Sequence, residues 1–279
     1  MTGAGIVLAL ALAAALYARG AAALRRTSRT APGRTAHGSP GRTVAFAAGL
    51  ALVALALASP LDALAERLFA AHMAQHMLLW VAAAPLLALA RPGLPLLLGL
   101  PAGWRRRLGR LRHGRAWRAI RPLVTRPLPV LAMQTGALWL WHLPAPFQAA
   151  LEHPPLHGLE HASFLATAVA FWAVVARIGA RAQPGRGQLG FGLGVLYVFV
   201  TALQASALGA LLTLAPVPLY PAQALGASPL GVSPLADQQL AGMAMWVPAD
   251  AVYLATIVVL MARWLARMER ETPRQEVLG

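Results

Sequence analysis

The chain has 279 residues, of which 58% are apolar and 12% charged, and a formal net charge of +15. With a mean hydropathy of +0.59, this composition excludes an ordinary soluble domain and marks a polytopic membrane protein. Cysteine is absent, which excludes disulfides, thiolate catalysis and any thiolate-based copper or zinc site, and the absence of lysine excludes a retinal Schiff base.

A hydrocarbon core about 30 Å thick needs roughly 20 apolar residues in helical form. Seven runs qualify, at about 3–24, 42–60, 68–90, 123–142, 159–178, 189–214 and 239–263. They predict an all-α bundle of seven transmembrane helices forming one domain over residues 1–279. No positive charge precedes the first run, while Arg25, Arg26 and Arg29 follow it. That order predicts an uncleaved anchor with its N-terminus outside. Residues 101–120 place Trp104, Leu108 and Leu111 at i, i+4 and i+7 among seven arginines. The pattern suits a short helix on the anionic inner leaflet, with a plain solvated basic loop as the alternative. Gly190 and Gly194 form a GxxxG in the sixth run with Gly192 between them, which predicts close helix packing. The stretch 215–236 carries Pro216, Pro218, Pro221, Pro229 and Pro234. It predicts a non-helical cap over the outer face.

The arginines set the orientation. Five lie in 25–42, ten in 91–126, three in 177–186 and four in 263–274, out of 24 in all. Those segments are read as cytoplasmic, and the C-terminus as inside. This sidedness explains the positive charge without a nucleic-acid partner, and none is expected.

Six of the eight histidines then fall at the outer edge of the bundle: His72, His76, His142, His153, His157 and His161. His72 and His76 are i, i+4 on one face of the third run, with Met73 and Met77 paired on the adjacent face. His157, Glu160 and His161 share a face where the fifth run begins. His142 closes the fourth run after Trp139 and Trp141, which suit an aromatic belt. Asp237 opens the seventh. Imidazole beside a soft thioether favours copper, Cu(I) in particular. His72, His76, His157 and His161 are the direct-ligand candidates, with Met73, Met77, His142, Glu160 and Asp237 as the supporting set. Each residue also has a blander reading: an interfacial histidine as a belt residue, a methionine pair as packing, Glu160 as the partner that fixes a histidine tautomer. A shared site requires the third and fifth helices to meet at their outer ends, with imidazole nitrogens roughly 3–4 Å apart around one ion. Gln134 and Gln204 fall mid-span and are candidates for pairing across helices. Asp250, just after Pro248, is costly at mid-span and should face the bundle interior.

The same segments resemble the CtaG family, the seven-span assembly factors of caa-type cytochrome c oxidase. The matching stretches are His72-Met73-Ala74-Gln75-His76-Met77-Leu78-Leu79 with Ala84-Pro85-Leu86-Leu87, then Trp141-His142-Leu143-Pro144 and Leu156-His157-Gly158-Leu159-Glu160-His161. Asp237-Gln238-Gln239-Leu240-Ala241-Gly242 with Met245-Trp246-Val247-Pro248 completes the set. The resemblance runs from about residue 42 to 264. It implies a multi-pass protein of the bacterial inner (cell) membrane that works with cytochrome c oxidase subunits, delivering or inserting copper on the outer side. Such a role needs no redox turnover or hydrolysis, so the chain is not read as an enzyme. Phe147 stands where the family is expected to have a tyrosine, so a hydroxyl there is not essential in this protein. The rival readings are a haem-handling protein with two histidines as axial ligands, a transporter with a histidine-rich outer vestibule, and a scaffold whose histidines dock the oxidase.

Overall fold

Within lipid a backbone must satisfy its own hydrogen bonds, and a chain of long apolar runs does so by coiling. The computed structural model describes residues 3–28, 39–179, 189–220 and 231–271, and among these there is no strand. Helix α1 spans Gly3–Ser28, α2 Pro40–Leu57 and the short α3 Pro60–Ala65. The third apolar run is divided into α4 (Phe69–Met77), a π-helical segment (Leu78–Ala83) and α5 (Ala84–Ala90). Then come α6 (Gly93–Gly99), α7 (Ala102–His113), α8 (Arg115–Thr125), α9 (Pro127–Trp141) and α10 (Pro144–Glu152). Three long helices follow: α11 (Pro154–Val175), α12 (Phe191–Leu214) and α13 (Pro234–Glu271). Proline opens α2, α3, α9, α10 and α11, where its missing N–H costs nothing.

Among the described residues six helical spans are long and apolar enough to cross a membrane, and the chain is a multi-pass membrane protein on that ground. The fourth expected run falls short. It becomes α9, 15 residues long, or about 22 Å at 1.5 Å per residue. Pro127 forces Arg126 into an extended conformation (φ −87°, ψ 142°), so the helix starts four residues later than its apolar run. The basic stretch is helical rather than a solvated loop. It forms α7 and α8 with no buried residue, and Trp104, Leu108 and Leu111 are all exposed among the arginines.

The third run is the axis of the bundle. Its apolar stretch is 67% buried, against 17% for α1 and 22% for α2 and for α13. One face of it joins a core with α9, α11, α12 and α13, and the other a smaller core with α1 and α2 built on Tyr17, Phe46 and Val53. Pro85 would leave the Val81 carbonyl without a donor in an α-helix and would crowd it. The chain widens into the π-helical segment at this point. The Ala84 amide donates to the Leu79 carbonyl, five residues back, and Trp172 Nε1 donates to the Trp80 carbonyl at 3.0 Å. The histidine-bearing turn of α4 therefore rests on a segment pinned from α11.

Glycines let two helix pairs close up. Helix α1 meets α6 at Gly20 and Gly99, where a Cβ would overlap the Pro95 and Leu16 carbonyls, and α12 meets α13 at Gly209 and Gly242, where a Cβ on Gly242 would overlap the Gly209 carbonyl and Thr213. Of the expected GxxxG, Gly194 is packed against Ile178, whereas Gly190 faces open space. Asp250 is accounted for between α12 and α13: Ser206 Oγ lies 2.8 and 2.7 Å from its two carboxylate oxygens. Gln134 and Gln204 have no hydrogen-bond partner for their amide groups among the described residues. Residues 215–220 are non-helical and lie over the histidine-bearing end, while 221–230 of the expected cap lie outside the described residues. The structure starts α13 at Pro234, inside the stretch expected to be non-helical.

Orientation is open to a direct test, because the native chain has no thiol. His113→Cys and His153→Cys both lie at exposed positions. A thiol reagent that cannot cross the membrane is expected to label position 153 in intact cells and to spare position 113. Labelling of 113 instead would reverse the orientation read from the arginines.

Candidate metal centre

Helical periodicity stacks His72 on His76 in α4 and His157 on His161 in α11, with ring centroids 4.4 Å apart in both pairs. The two faces meet. His72 lies nearly parallel to His157, with centroids 5.4 Å apart and planes inclined by 16°. Its centroid is 6.0 Å from His161, and His76 is 5.2 Å from His161. Glu160, one residue before His161, reaches between the histidines of α4. Its Oε1 is 3.8 Å from His72 Nε2 and 3.7 Å from His76 Nε2.

Two overlapping donor groups result, His72 with His157 and His161, and His72 with His76 and Glu160. Within each group the donor atoms lie within 4.8 Å of one another. Nitrogens sharing one ion lie roughly 3–4 Å apart, so donors grouped this closely would need only small side-chain movements to share one. His72 belongs to both groups.

Burial makes the cluster chemically unusual. His72, His76 and Glu160 are at most 1% exposed. Both nitrogens of His72 and of His76, Nε2 of His142, His157 and His161, and both oxygens of Glu160 are buried without a hydrogen-bond partner. A buried polar atom left unpaired costs about 1–3 kcal/mol, so a cluster of this kind calls for a function.

His142 stands at the edge, its ring centroid 6.4 Å from His76. Its Nδ1 is 2.7 Å from the Leu138 carbonyl. A carbonyl can only accept, so Nδ1 carries the proton and Nε2 presents its lone pair. Tyr220 donates its hydroxyl to the His142 carbonyl at 2.7 Å, and burial pushes its phenol up to about 12, which keeps it a donor. Tyr220 also packs on Phe69 and Phe147, and Phe147 packs on His72. Trp141 donates to Ser163 at 2.8 Å and ties α9 to α11, while Trp139 is exposed as a belt residue would be.

The rest of the supporting set is placed differently. Met73 and Met77 are buried in the main apolar core. Asp237 is 2% exposed, and its two oxygens accept from the backbone amides of Phe69 and Ala70 at 2.7 and 3.0 Å. It caps the N-terminus of α4 from another helix, where the carboxylate meets orphan N–H groups and the positive end of the helix dipole. Gln75 donates from Nε2 to the Ala56 carbonyl at 2.6 Å and to Asp62 at 2.8 Å, which holds α2 and α3 against α4. His153 is exposed and its Nδ1 is 3.1 Å from the Ala149 carbonyl, outside the cluster.

Two neighbours escaped the sequence reading. Phe164 packs against His76 with centroids 4.7 Å apart; its spacing of i+4 from Glu160 was the available signal. Tyr220 is the only aromatic residue of 215–236, and nothing in the sequence says which side chain it covers.

Imidazole lone pairs with one carboxylate and no thiolate suit a late first-row transition metal, and His72 allows either an all-nitrogen or a mixed nitrogen–oxygen set. The fold and the cluster thus put the chain among helical membrane proteins with a buried, metal-competent polyhistidine site. A family model described as cytochrome c oxidase caa3 assembly factor (Caa3_CtaG) matches residues 15–267, and the chain belongs to that family. No curated protein and no solved structure matches it.

Proposed function

We propose that the protein holds a copper ion in this cluster as cargo and passes it to cytochrome c oxidase during assembly, by ligand exchange and without enzymatic turnover. One observation carries the reading: nine donor atoms of His72, His76, His142, His157, His161 and Glu160 are buried together without partners. His72, His76, His157 and His161 supply neutral nitrogen donors, and Glu160 supplies the charge that offsets part of the ion's own. Donors arranged as two partial sets around a shared His72 hold an ion while leaving positions for an incoming ligand, as a handover requires. Imidazole alone also suits zinc, iron and nickel, and the resemblance to oxidase assembly factors is what supports copper among them.

In this reading the protein sits in the bacterial inner membrane with seven spans, α9 completing the count, and the cluster faces outward. Its partners are oxidase subunits at that face and lipid around the apolar helices. The experiment that tests the reading is elemental analysis of the purified protein, where bound copper is expected and its absence overturns it.

A further inference from the structure

A cavity of about 670 Å³ opens beside the cluster, with His72, His157 and His161 in its wall. Three carboxylates line it too: Asp62 in α3, Glu66 at the end of that helix and Glu152 at the end of α10. The whole chain has nine acidic residues against 24 basic ones. A third of its carboxylates therefore line one opening, and no arginine among the described residues lines it; the neighbouring Arg67 is exposed outside the lining. The remaining wall is largely apolar, from α1, α2 and α11. Depth sorts the groups. Glu66 and Glu152 are exposed and His157 is half-buried, whereas His161 and His72 are 8% and 0% exposed, with unpartnered Nε2 atoms. Acidic groups at an opening with low-dielectric walls focus the field and raise the local concentration of cations.

We propose that this cavity is the vestibule by which a metal cation reaches the cluster. Asp62, Glu66 and Glu152 draw the ion in, His157 receives it with His72 and His161, and His72 hands it to His76 and Glu160. Each step exchanges one neutral or anionic donor for another and changes no oxidation state. The proposal rests on the copper-holding reading and gives it a direction: His157 belongs only to the group at the cavity, His76 and Glu160 only to the buried one, and His72 to both.

The test is the uptake rate of Ag(I), a redox-inert stand-in for Cu(I), by the purified full-length protein in detergent. The Glu66→Gln/Glu152→Gln variant keeps side-chain size, changes exposed positions, and leaves Asp62 to hold Gln75. Its association rate is expected to fall about tenfold at low ionic strength, with the number of ions bound and the final affinity unchanged. The deficit should vanish near 1 M salt, where screening acts within about 3 Å. His157→Ala should slow uptake at every salt concentration, yet leave an ion held by the buried group. An acid variant loading at the parental rate, or losing affinity rather than rate, overturns the vestibule while leaving the copper reading in place. A parent protein that takes up no Ag(I) and no Cu(I) overturns both.

Discussion

His72→Ala is expected to abolish copper retention, and oxidase maturation in copper-limited cells with it, while the protein stays inserted and abundant. His76, His157 and His161 each belong to one donor group, and His72 belongs to both. Removing it leaves two histidines on one side and one histidine with a carboxylate on the other. Loss of a residue that merely supports a ligand already costs 10–100-fold in metal affinity, so loss of the shared ligand costs more. Neither nitrogen of His72 has a hydrogen-bond partner, so the substitution orphans no hydrogen-bonded group; beyond packing it removes the 3.8 Å contact with Glu160. His76→Ala should follow closely, because it removes one of three donors of the buried group. His142→Gln is the milder control, since His142 stands at the edge and bonds a carbonyl of its own helix. If variants at His72, His76, His157 and His161 all still yield a fully copper-loaded oxidase in copper-limited cells, the cluster is not the carrier. Docking of the oxidase would then be its better role.

Asp237→Ala should act by a different route, through the placement of α4. The carboxylate accepts from the Phe69 and Ala70 amides at a buried helix start. Its loss leaves two buried N–H groups unpaired, and each costs about 1–3 kcal/mol. Together with the lost charge–dipole interaction, about 2–4 kcal/mol of stability should disappear. Thermal unfolding in detergent and abundance in cells read this directly. Asp237→Asn retains one acceptor oxygen and should lose less. A variant with unchanged unfolding temperature that nevertheless sheds copper would make Asp237 a ligand, as its place in the sequence motif allowed.

The helices, the basic connections and the pairing of histidines within each helix were legible because each follows from local rules: hydropathy, arginine placement and 3.6-residue periodicity. The meeting of α4 with α11 was legible only as a requirement of a shared ion. Nothing local states that the His72 and His157 rings lie side by side, or that Glu160 rather than Asp237 turns toward the histidines. Asp237 shows why. A carboxylate among histidines reads as a ligand, but its partners are backbone amides some 167 residues away in sequence, and backbone donors carry no signature in side-chain identity. Proline had two effects that hydropathy alone does not separate. Pro127 cut the fourth run to 15 residues, while Pro85 left the third intact by widening it into a π-helical segment. Met73 and Met77 sit on a face turned to the apolar core, the commoner fate of thioethers on a buried helix.

Copper storage in the cluster is tested most directly by the metal content of the intact protein. The chain is purified in mild detergent from copper-replete cells and analysed for all transition elements, with its visible spectrum recorded alongside. Copper bound in stoichiometric amount, its loss in the His72→Ala/His76→Ala variant, and no Soret band are the expected results. Protein free of copper at parental abundance would contradict the assignment, and iron with a Soret band would give the histidines to haem instead.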